Sequence, residues 1–205
     1  MKHIPDLLPR VVGAVQETHE RFLNLYTLIC EQRDGKRLNY TVASRAQNIS
    51  ELTAISDKIK ADAVVINAIH EDPTTGKHTL VMVNQYRYPI GRRIYELPAG
   101  LIEKNEVVFK GAMREMFEET GLQFALSHAV NDSARPCFSS PGMTDESVSI
   151  LFGTCKGTPT NANQEASEDI QVVLADVEEC QRILLEEEYD IRAFWAMKLF
   201  IAQNS

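Results

Sequence analysis

The sequence has 205 residues, of which 44% are apolar and 24% charged, and its formal net charge is −8. This length and composition fit one large globular domain with a small appendage, and the acidic balance argues against a nucleic-acid-binding protein. The four dispersed cysteines predict neither a zinc site nor a disulfide framework, and the lack of a long apolar run or secretion signal predicts a cytoplasmic protein without membrane contact.

The first sixty residues predict a small β region. A hairpin is indicated from Phe22 to Arg45, because two apolar segments flank Asp34-Gly35, a dipeptide typical of tight turns. A lone two-stranded ribbon cannot cover the apolar side chains of this segment, so the hairpin must pack against another surface. We therefore expect residues 1–60 to form an N-terminal β-rich segment and residues 61–205 to form the main domain.

The main domain begins with strands and continues into a helix. Ala63–Ile69 and Leu80–Val83 are β-branched, apolar runs that predict buried strands, with a turn at Asp72–Lys77 between them. A helix is predicted to begin at Asn105, as its N-cap, and to stop at Gly121, which can adopt the left-handed conformation of a C-cap.

The remaining chain predicts two further strands and a C-terminal helix. Alternating residues predict a strand over 147–152, and a second apolar run predicts one over 170–174. A helix over 190–201 has an apolar stripe that we expect to face the core, formed by Ile191, Phe194, Trp195 and Leu199. Because strands and helices interleave, the fold class is α/β or α+β.

Three carboxylates share one side of the helix before Gly121. Glu115, Glu118 and Glu119 lie within an arc of about 100°. Arg114 reaches Glu118 at i+4, whereas no basic residue lies four positions from Glu115 or Glu119. Such a set suggests that a cation comes from solution, and oxygen ligands suit Mg²⁺ or Mn²⁺ better than zinc. The alternative is a solvated acidic surface.

The residues around these carboxylates resemble the signature of the Nudix hydrolases. The pattern runs from Gly100 through Glu106, Arg114-Glu115 and Glu118-Glu119 to Gly121-Leu122. The resemblance implies an α/β/α sandwich around a mixed sheet over residues 61–205, in which the signature forms a loop, a helix and a second loop. It also implies hydrolysis of a nucleoside diphosphate linked to another moiety, with Mg²⁺, or alternatively Mn²⁺, as the cofactor.

The same resemblance implies a role for each position of the signature. Glu115 and Glu119 would be the main metal ligands, together with the backbone carbonyl of Ala99. Glu118 would support catalysis, and Arg114 would orient the carboxylates. The other structural positions of the motif are Gly100, Glu106 and Gly121.

Two flanking segments resemble the ADP-ribose and ADP-sugar pyrophosphatases within this family. One is Gln85–Pro89, ahead of Glu96–Gly100, and the other is Ser140–Glu146. The resemblance implies that four residues of these segments contact the substrate: Arg87, Glu96, Pro141 and Gly142. The alternative is that the arginine is an edge-strand charge and that the proline and glycine form a plain turn.

The identity of the general base stays open. Relatives in this branch often have two glutamates two positions apart in a loop before a strand, whereas Glu165 and Glu168 are three positions apart, before Ile170. Glu168 is the better positional match and Glu165 is the alternative. The third reading is that both are surface acids of a polar loop.

The expected function is Mg²⁺-dependent hydrolysis of a nucleoside diphosphate sugar to a nucleoside monophosphate and a sugar phosphate. The leading candidate substrate is ADP-ribose. The alternatives are a Nudix hydrolase for GDP-mannose or a dinucleoside polyphosphate, and a non-catalytic module that senses a nucleotide sugar. A homodimer that pairs through residues 1–60 is also expected, with the alternative that the hairpin packs on its own domain.

Overall fold

A computed structural model describes residues 8–56, 60–127, 135–164 and 169–204. Its strands are β1 Arg10–Gln16, β2 Asn24–Glu31, β3 Arg37–Ser44, β4 Ala63–Glu71, β5 His78–Arg87, β6 Arg92–Glu96, β7 Ala99–Leu101, β8 Gln123–Leu126, β9 Cys137–Phe138, β10 Ser147–Lys156 and β11 Ile170–Ala175. Its helices are α1 Val108–Thr120, α2 Val177–Glu186 and α3 Ile191–Asn204. None of the helices in the described ranges is long and apolar enough to cross a membrane.

The chain divides into two units. The first contains Met1–Asp62 and Pro136–Val148, and the second contains Ala63–Arg135 and Ser149–Ser205. The first unit therefore takes in a later segment that no sequence pattern associates with the N-terminus. The division into segments 1–60 and 61–205 stays a prediction.

The first unit is built on an antiparallel sheet in the order β1-β2-β3. The predicted hairpin is confirmed: β2 and β3 pair from Glu31 opposite Arg37 onwards, and Gly35 has a φ of +79°. Strand β1, which has no clear sequence signal, pairs with β2 across a bulge. One face of this sheet is buried, with Tyr26, Leu28, Val42 and Leu52 at its core.

The second unit contains a sheet in the order β11-β5-β4-β10-β8, with β6 beside β5 and β7 beside β4. Helix α1 packs through Ala112 and Met116 on apolar residues of β4, β5 and β10, among them Val64, Val81 and Leu151. Helices α2 and α3 contact each other and the sheet through β5, β6 and β11. The predicted α/β sandwich is thereby confirmed.

The predicted start of the signature helix is wrong. Helix α1 begins at Val108, and its N-cap is Val107 rather than Asn105. Asn105 instead has a φ of +68°, a left-handed conformation that asparagine tolerates in turns. The carboxylate of Glu106 accepts a hydrogen bond from the backbone N–H of Glu103, so this segment forms a turn before the helix. The predicted C-cap is confirmed, because Gly121 has a φ of +73°.

The predicted core stripe of the C-terminal helix is also wrong. The helix exists, but Trp195 is 65% exposed, and Ile191 and Leu199 are exposed as well. The buried residues are Ala193, Ala196, Met197 and Phe200. The physical reason is that periodicity defines apolar stripes without fixing which one meets a neighbour, and α3 contacts α2, β5 and β6 through its other stripe.

Candidate metal-binding and hydrolytic site

Two buried carboxylates lie one turn apart on α1. Glu115 is 9% exposed and Glu119 is 4% exposed. Burial of ionised carboxylates is costly unless hydrogen bonds or a cation compensate for the lost hydration. Glu118, by contrast, has a half-exposed side chain, so the three acids of the predicted acidic face differ in environment. The alternative of a fully solvated acidic surface does not describe Glu115 and Glu119.

Arg114 organises the acids of this region. Its Nη1 donates to Oε1 of Glu115 at 2.8 Å and to Oε2 of Glu118 at 2.9 Å. Its Nε and Nη2 bind the two carboxylate oxygens of Glu106 at 3.0 and 2.9 Å, and Nη2 also donates to the carbonyl of Leu101 at 2.9 Å. These hydrogen bonds raise the pKa of Arg114 and lower the pKa of Glu106. Arg114 therefore holds both oxygens of Glu106 and one oxygen each of Glu115 and Glu118.

Strand β7 passes directly beside the buried carboxylates. The backbone N–H of Ala99 donates to Oε2 of Glu119 at 3.1 Å. A Cβ atom built on Gly100 would lie 1.9 Å from Cδ of Glu115, far inside van der Waals contact. Only glycine leaves room for the Glu115 carboxylate at this distance from the backbone. The close approach of the Glu115 carboxylate to the backbone thus explains why glycine occupies position 100 of the signature.

The donor set fits a hard divalent cation in its chemistry. An oxygen of Glu119 lies beside the backbone of Ala99, and the Glu115 carboxylate lies beside Gly100. Oxygen ligands are those that Mg²⁺ prefers. In the described ranges, no three side chains of histidine, cysteine, aspartate or glutamate form a cluster arranged for an ion. The contact described for Ala99 comes from its N–H, so a ligand role for its carbonyl stays a prediction.

Arg87 and Glu96 form an ion pair on the same side of the sheet as α1. The Nε of Arg87 donates to Oε2 of Glu96 at 2.6 Å, and the glutamate side chain is buried. Glu96 lies opposite Val83 in the pairing of β6 with β5. Val83 is two residues from Val81, which packs against α1 in the hydrophobic core. Since side chains alternate along a strand, Glu96 and Arg87 project to the α1 side.

The other predicted site residues belong to the first unit or lie outside the described residues. Pro141 and Gly142 belong to the unit that contains the three-stranded sheet, where the Gly142 carbonyl accepts a hydrogen bond from Oη of Tyr40 at 2.6 Å. Glu165 and Glu168 lie outside the described residues, so their roles stay predictions.

Sequence reasoning missed two residues, Gln164 and Asp169, that flank the segment with Glu165 and Glu168 and attach the chain to other elements. The side-chain amide of Gln164 donates to the carbonyl of Glu119 at 2.8 Å and to that of Ile170 at 3.2 Å. On the other side, Asp169 pairs with Arg93. The chain on both sides of the predicted base is therefore attached to α1 and to β6. No residue spacing signals these contacts, which join distant positions.

Comparison with known proteins adds family information to this geometry. The model of the family described as NUDIX domain matches residues 61–194. The chain is 36% identical over 123 residues to nudix hydrolase 2 of Caenorhabditis elegans, covering 58% of this chain and 54% of that protein. It is 30% identical over 127 residues to an ADP-ribose pyrophosphatase of Bacillus subtilis, covering 60% of this chain and 66% of that protein.

A solved structure supports the fold over almost the whole chain. The crystal structure of an ADP compounds hydrolase matches with a TM-score of 0.66 and 14% identity, covering 96% of this chain and 92% of that one. At this identity the match shows the fold alone. The chain spans about half to two thirds of the length of the two curated relatives.

Proposed function

Because the chain belongs to the Nudix family, we propose that it is a metal-dependent hydrolase that cleaves the pyrophosphate bond of a nucleoside diphosphate sugar. The proposed substrate is ADP-ribose, and the products are a nucleoside monophosphate and a sugar phosphate. A relative named ADP-ribose pyrophosphatase supports this choice of substrate.

The observation that carries the proposal is the pair of buried carboxylates on α1. Glu115 and Glu119 are both buried one turn apart on α1, and Arg114 donates to one oxygen of Glu115. A divalent cation bound by these two carboxylates would offset their charge and attract an anionic pyrophosphate.

Mg²⁺, or alternatively Mn²⁺, is the proposed cofactor. Glu115, Glu119 and the carbonyl of Ala99 would hold it. When bound, such an ion neutralises phosphate charge and lowers the pKa of a coordinated water. The protein contributes a rigid helix, the arginine that orients the acids, and a glycine that admits the backbone beside them.

The proton acceptor is proposed to come from the segment between Gln164 and Asp169. Glu168 is the first candidate, and Glu165 is the second. The anchored ends of the segment support this role, since a general base must be held within hydrogen-bond reach of the attacking water. Glu118 is proposed as an auxiliary acid beside Arg114.

The substrate is proposed to extend from the carboxylates of α1 towards Arg87 and Glu96. The ion pair supports this direction: among the described residues Glu96 binds the guanidinium through Nε, and the terminal N–H groups can bind an anion. Pro141 and Gly142 are also proposed to contact the substrate.

We propose that residues 61–205 form the Nudix domain. Residues 1–60 are proposed to form the segment through which two copies of the chain pair. The sheet of the first unit has apolar side chains on the face away from its core, and Val15 and Leu25 are both exposed there. Exposed apolar surface of this kind is typical of association sites. Sedimentation at micromolar concentration tests this point, and a monomer with full activity would contradict it.

A substrate panel tests the proposed reaction. ADP-ribose, GDP-mannose and a dinucleoside polyphosphate are incubated with the protein and Mg²⁺, and phosphate is measured after a coupled phosphatase. We expect the highest kcat/KM for ADP-ribose and no turnover in EDTA. If the folded protein hydrolyses none of these compounds but binds ADP-ribose, it is a sensing module and the proposal is wrong.

A further inference from the structure

A distant part of the chain, residues 160–164, lies against the C-terminal end of α1, and we call it the capping segment. The last four carbonyl groups of a helix have no hydrogen-bond partner within the helix. Among the described residues, three of these carbonyls accept hydrogen bonds from the capping segment: that of Thr120 from the backbone N–H of Thr160 at 2.9 Å, that of Glu119 from the amide of Gln164 at 2.8 Å and that of Phe117 from the amide of Asn163 at 3.3 Å. A Cβ built on Gly121 would lie 2.3 Å from Cγ2 of Thr160, so the segment directly contacts the helix end.

The charges at this helix end make the capping important. The C-terminus of a helix carries a partial negative charge, so acidic residues in its last turn destabilise that turn. In α1 the last turn contains Glu118 and Glu119 and no basic residue. The N–H groups of the capping segment offset the negative charge of the carbonyls. Because Glu119 is a proposed metal ligand, the geometry of this turn decides where its carboxylate lies.

Gln164 makes two of the hydrogen bonds of the capping segment. Its amide nitrogen donates to the carbonyl of Glu119 at 2.8 Å and to the carbonyl of Ile170 at 3.2 Å. Both partners are acceptors, so the nitrogen and not the oxygen of the amide must face them. Ile170 is buried and begins β11, which pairs with β5 in the sheet. Gln164 therefore ties the backbone of Glu119 to a strand of the sheet.

Asn163 has a weaker hold on the same helix end. Its bond to the carbonyl of Phe117 is longer, at 3.3 Å, and its side chain is exposed. The carbonyl of Phe117 also accepts a hydrogen bond from the backbone N–H of Gly121 at 2.9 Å. Loss of the Asn163 amide thus leaves this carbonyl with a partner, which makes Asn163 a matched control for Gln164.

Building on the proposed function, we propose that Gln164 is a positioning residue for the metal site. It holds the last turn of α1 through the carbonyl of Glu119 and thereby sets the direction in which the Glu119 carboxylate presents its oxygens. The side-chain end of Glu119 is held separately, because Oε2 accepts from the backbone N–H of Ala99 at 3.1 Å. Gln164 acts through Glu119 and is not itself a ligand.

The test measures binding of Mn²⁺ alone, by electron paramagnetic resonance of the free ion. Wild-type protein is compared with Gln164→Met and Asn163→Leu, in which each replacement approximately keeps the shape of the side chain and removes its amide. Glu119→Gln is included to identify the site on α1. We expect the Mn²⁺ dissociation constant to rise about 3- to 10-fold in Gln164→Met, the scale of one lost hydrogen bond, and to stay at the wild-type value in Asn163→Leu.

A second variant, Gln164→Asn, keeps the amide but withdraws it by one carbon–carbon bond, and it should weaken Mn²⁺ binding in the same direction. Urea denaturation without metal shows whether each variant is folded. A role confined to stability would lower the free energy of unfolding in both Gln164 variants and leave their Mn²⁺ affinity unchanged, which would overturn the proposal.

Three other results would also overturn the positioning role: equal losses of affinity in Asn163→Leu and Gln164→Met, no Mn²⁺ binding by the wild type, or Mn²⁺ binding that Glu119→Gln leaves intact. Hydrolysis of ADP-ribose is measured separately. A wild type that hydrolyses nothing, while Gln164→Met alone loses Mn²⁺ affinity relative to its control, refutes the proposed reaction and supports the positioning role.

Discussion

Substitution of Gly100 by alanine tests whether the glycine of the signature acts through the Glu115 carboxylate. The added Cβ would meet Cδ of Glu115 at 1.9 Å and both carboxylate oxygens at 2.1 Å. Restoring van der Waals contact requires the carboxylate to move by about 1.5 Å, and misplacement of a catalytic group by about 1 Å can cost a hundredfold in rate. Arg114 opposes the movement, because it holds Oε1 of Glu115 at 2.8 Å.

We therefore expect kcat/KM for ADP-ribose to fall by about a hundredfold in Gly100→Ala, with a higher Mg²⁺ concentration at half-maximal rate. The fold should persist, because Gly100 lies in β7 with a backbone conformation that alanine can adopt and the clash is with the end of a side chain. Hydrolysis is measured across a Mg²⁺ titration, and folding is checked by urea denaturation.

Gly13→Ala is the matched control, because its new Cβ would meet only Ile29 Cδ1, at an ordinary contact distance of 3.6 Å. This variant should keep wild-type activity. A Gly100→Ala protein with wild-type kcat/KM and wild-type Mg²⁺ dependence would falsify the assignment of Glu115 to the metal site.

Three further predictions concern single side chains. Glu119→Gln should lower kcat by at least about a hundredfold while the protein stays folded, because a ligand charge is lost; turnover at saturating Mg²⁺ decides this. Of Glu165→Gln and Glu168→Gln, assayed side by side, the variant that removes the base should lose about a hundredfold in kcat, and normal rates in both would exclude this segment from catalysis. Burial raises the pKa of the Cys155 thiol to about 12, so at pH 8 a thiol reagent should label the exposed Cys137 in the native protein and leave Cys155 unmodified until urea is added, as read by peptide mass spectrometry.

Features that depend on neighbouring residues were predictable from the sequence. The Asp34-Gly35 turn, the left-handed cap at Gly121 and the apolar face of α1 follow from backbone preferences and periodicity over a few residues. The carboxylate spacing of Glu115 and Glu119 likewise requires only helix geometry. For this reason the sequence sufficed to place the candidate carboxylates on one helix.

Features that depend on distant residues required the tertiary structure. The sequence predicted a capping role for Asn105, but a hydrogen-bonded turn ahead of the helix takes that residue into the left-handed region. Helical periodicity placed Trp195 in the core, but periodicity defines a stripe without saying which side meets a neighbour. The side of α3 with Met197 and Phe200 is the one that is buried.

The environment of the carboxylates was decided by the same long-range packing. Helix spacing shows that Glu115 and Glu118 lie on one side of α1, but only the packing of β7 against the helix buries the first and leaves the second half-exposed. The close approach of Gly100 to Glu115 and the reach of Gln164 to Glu119 join residues that are 15 and 45 positions apart. Local propensities act over a turn or two of chain, whereas burial and charge balance depend on which segments meet, and that is set by the packing of the whole unit.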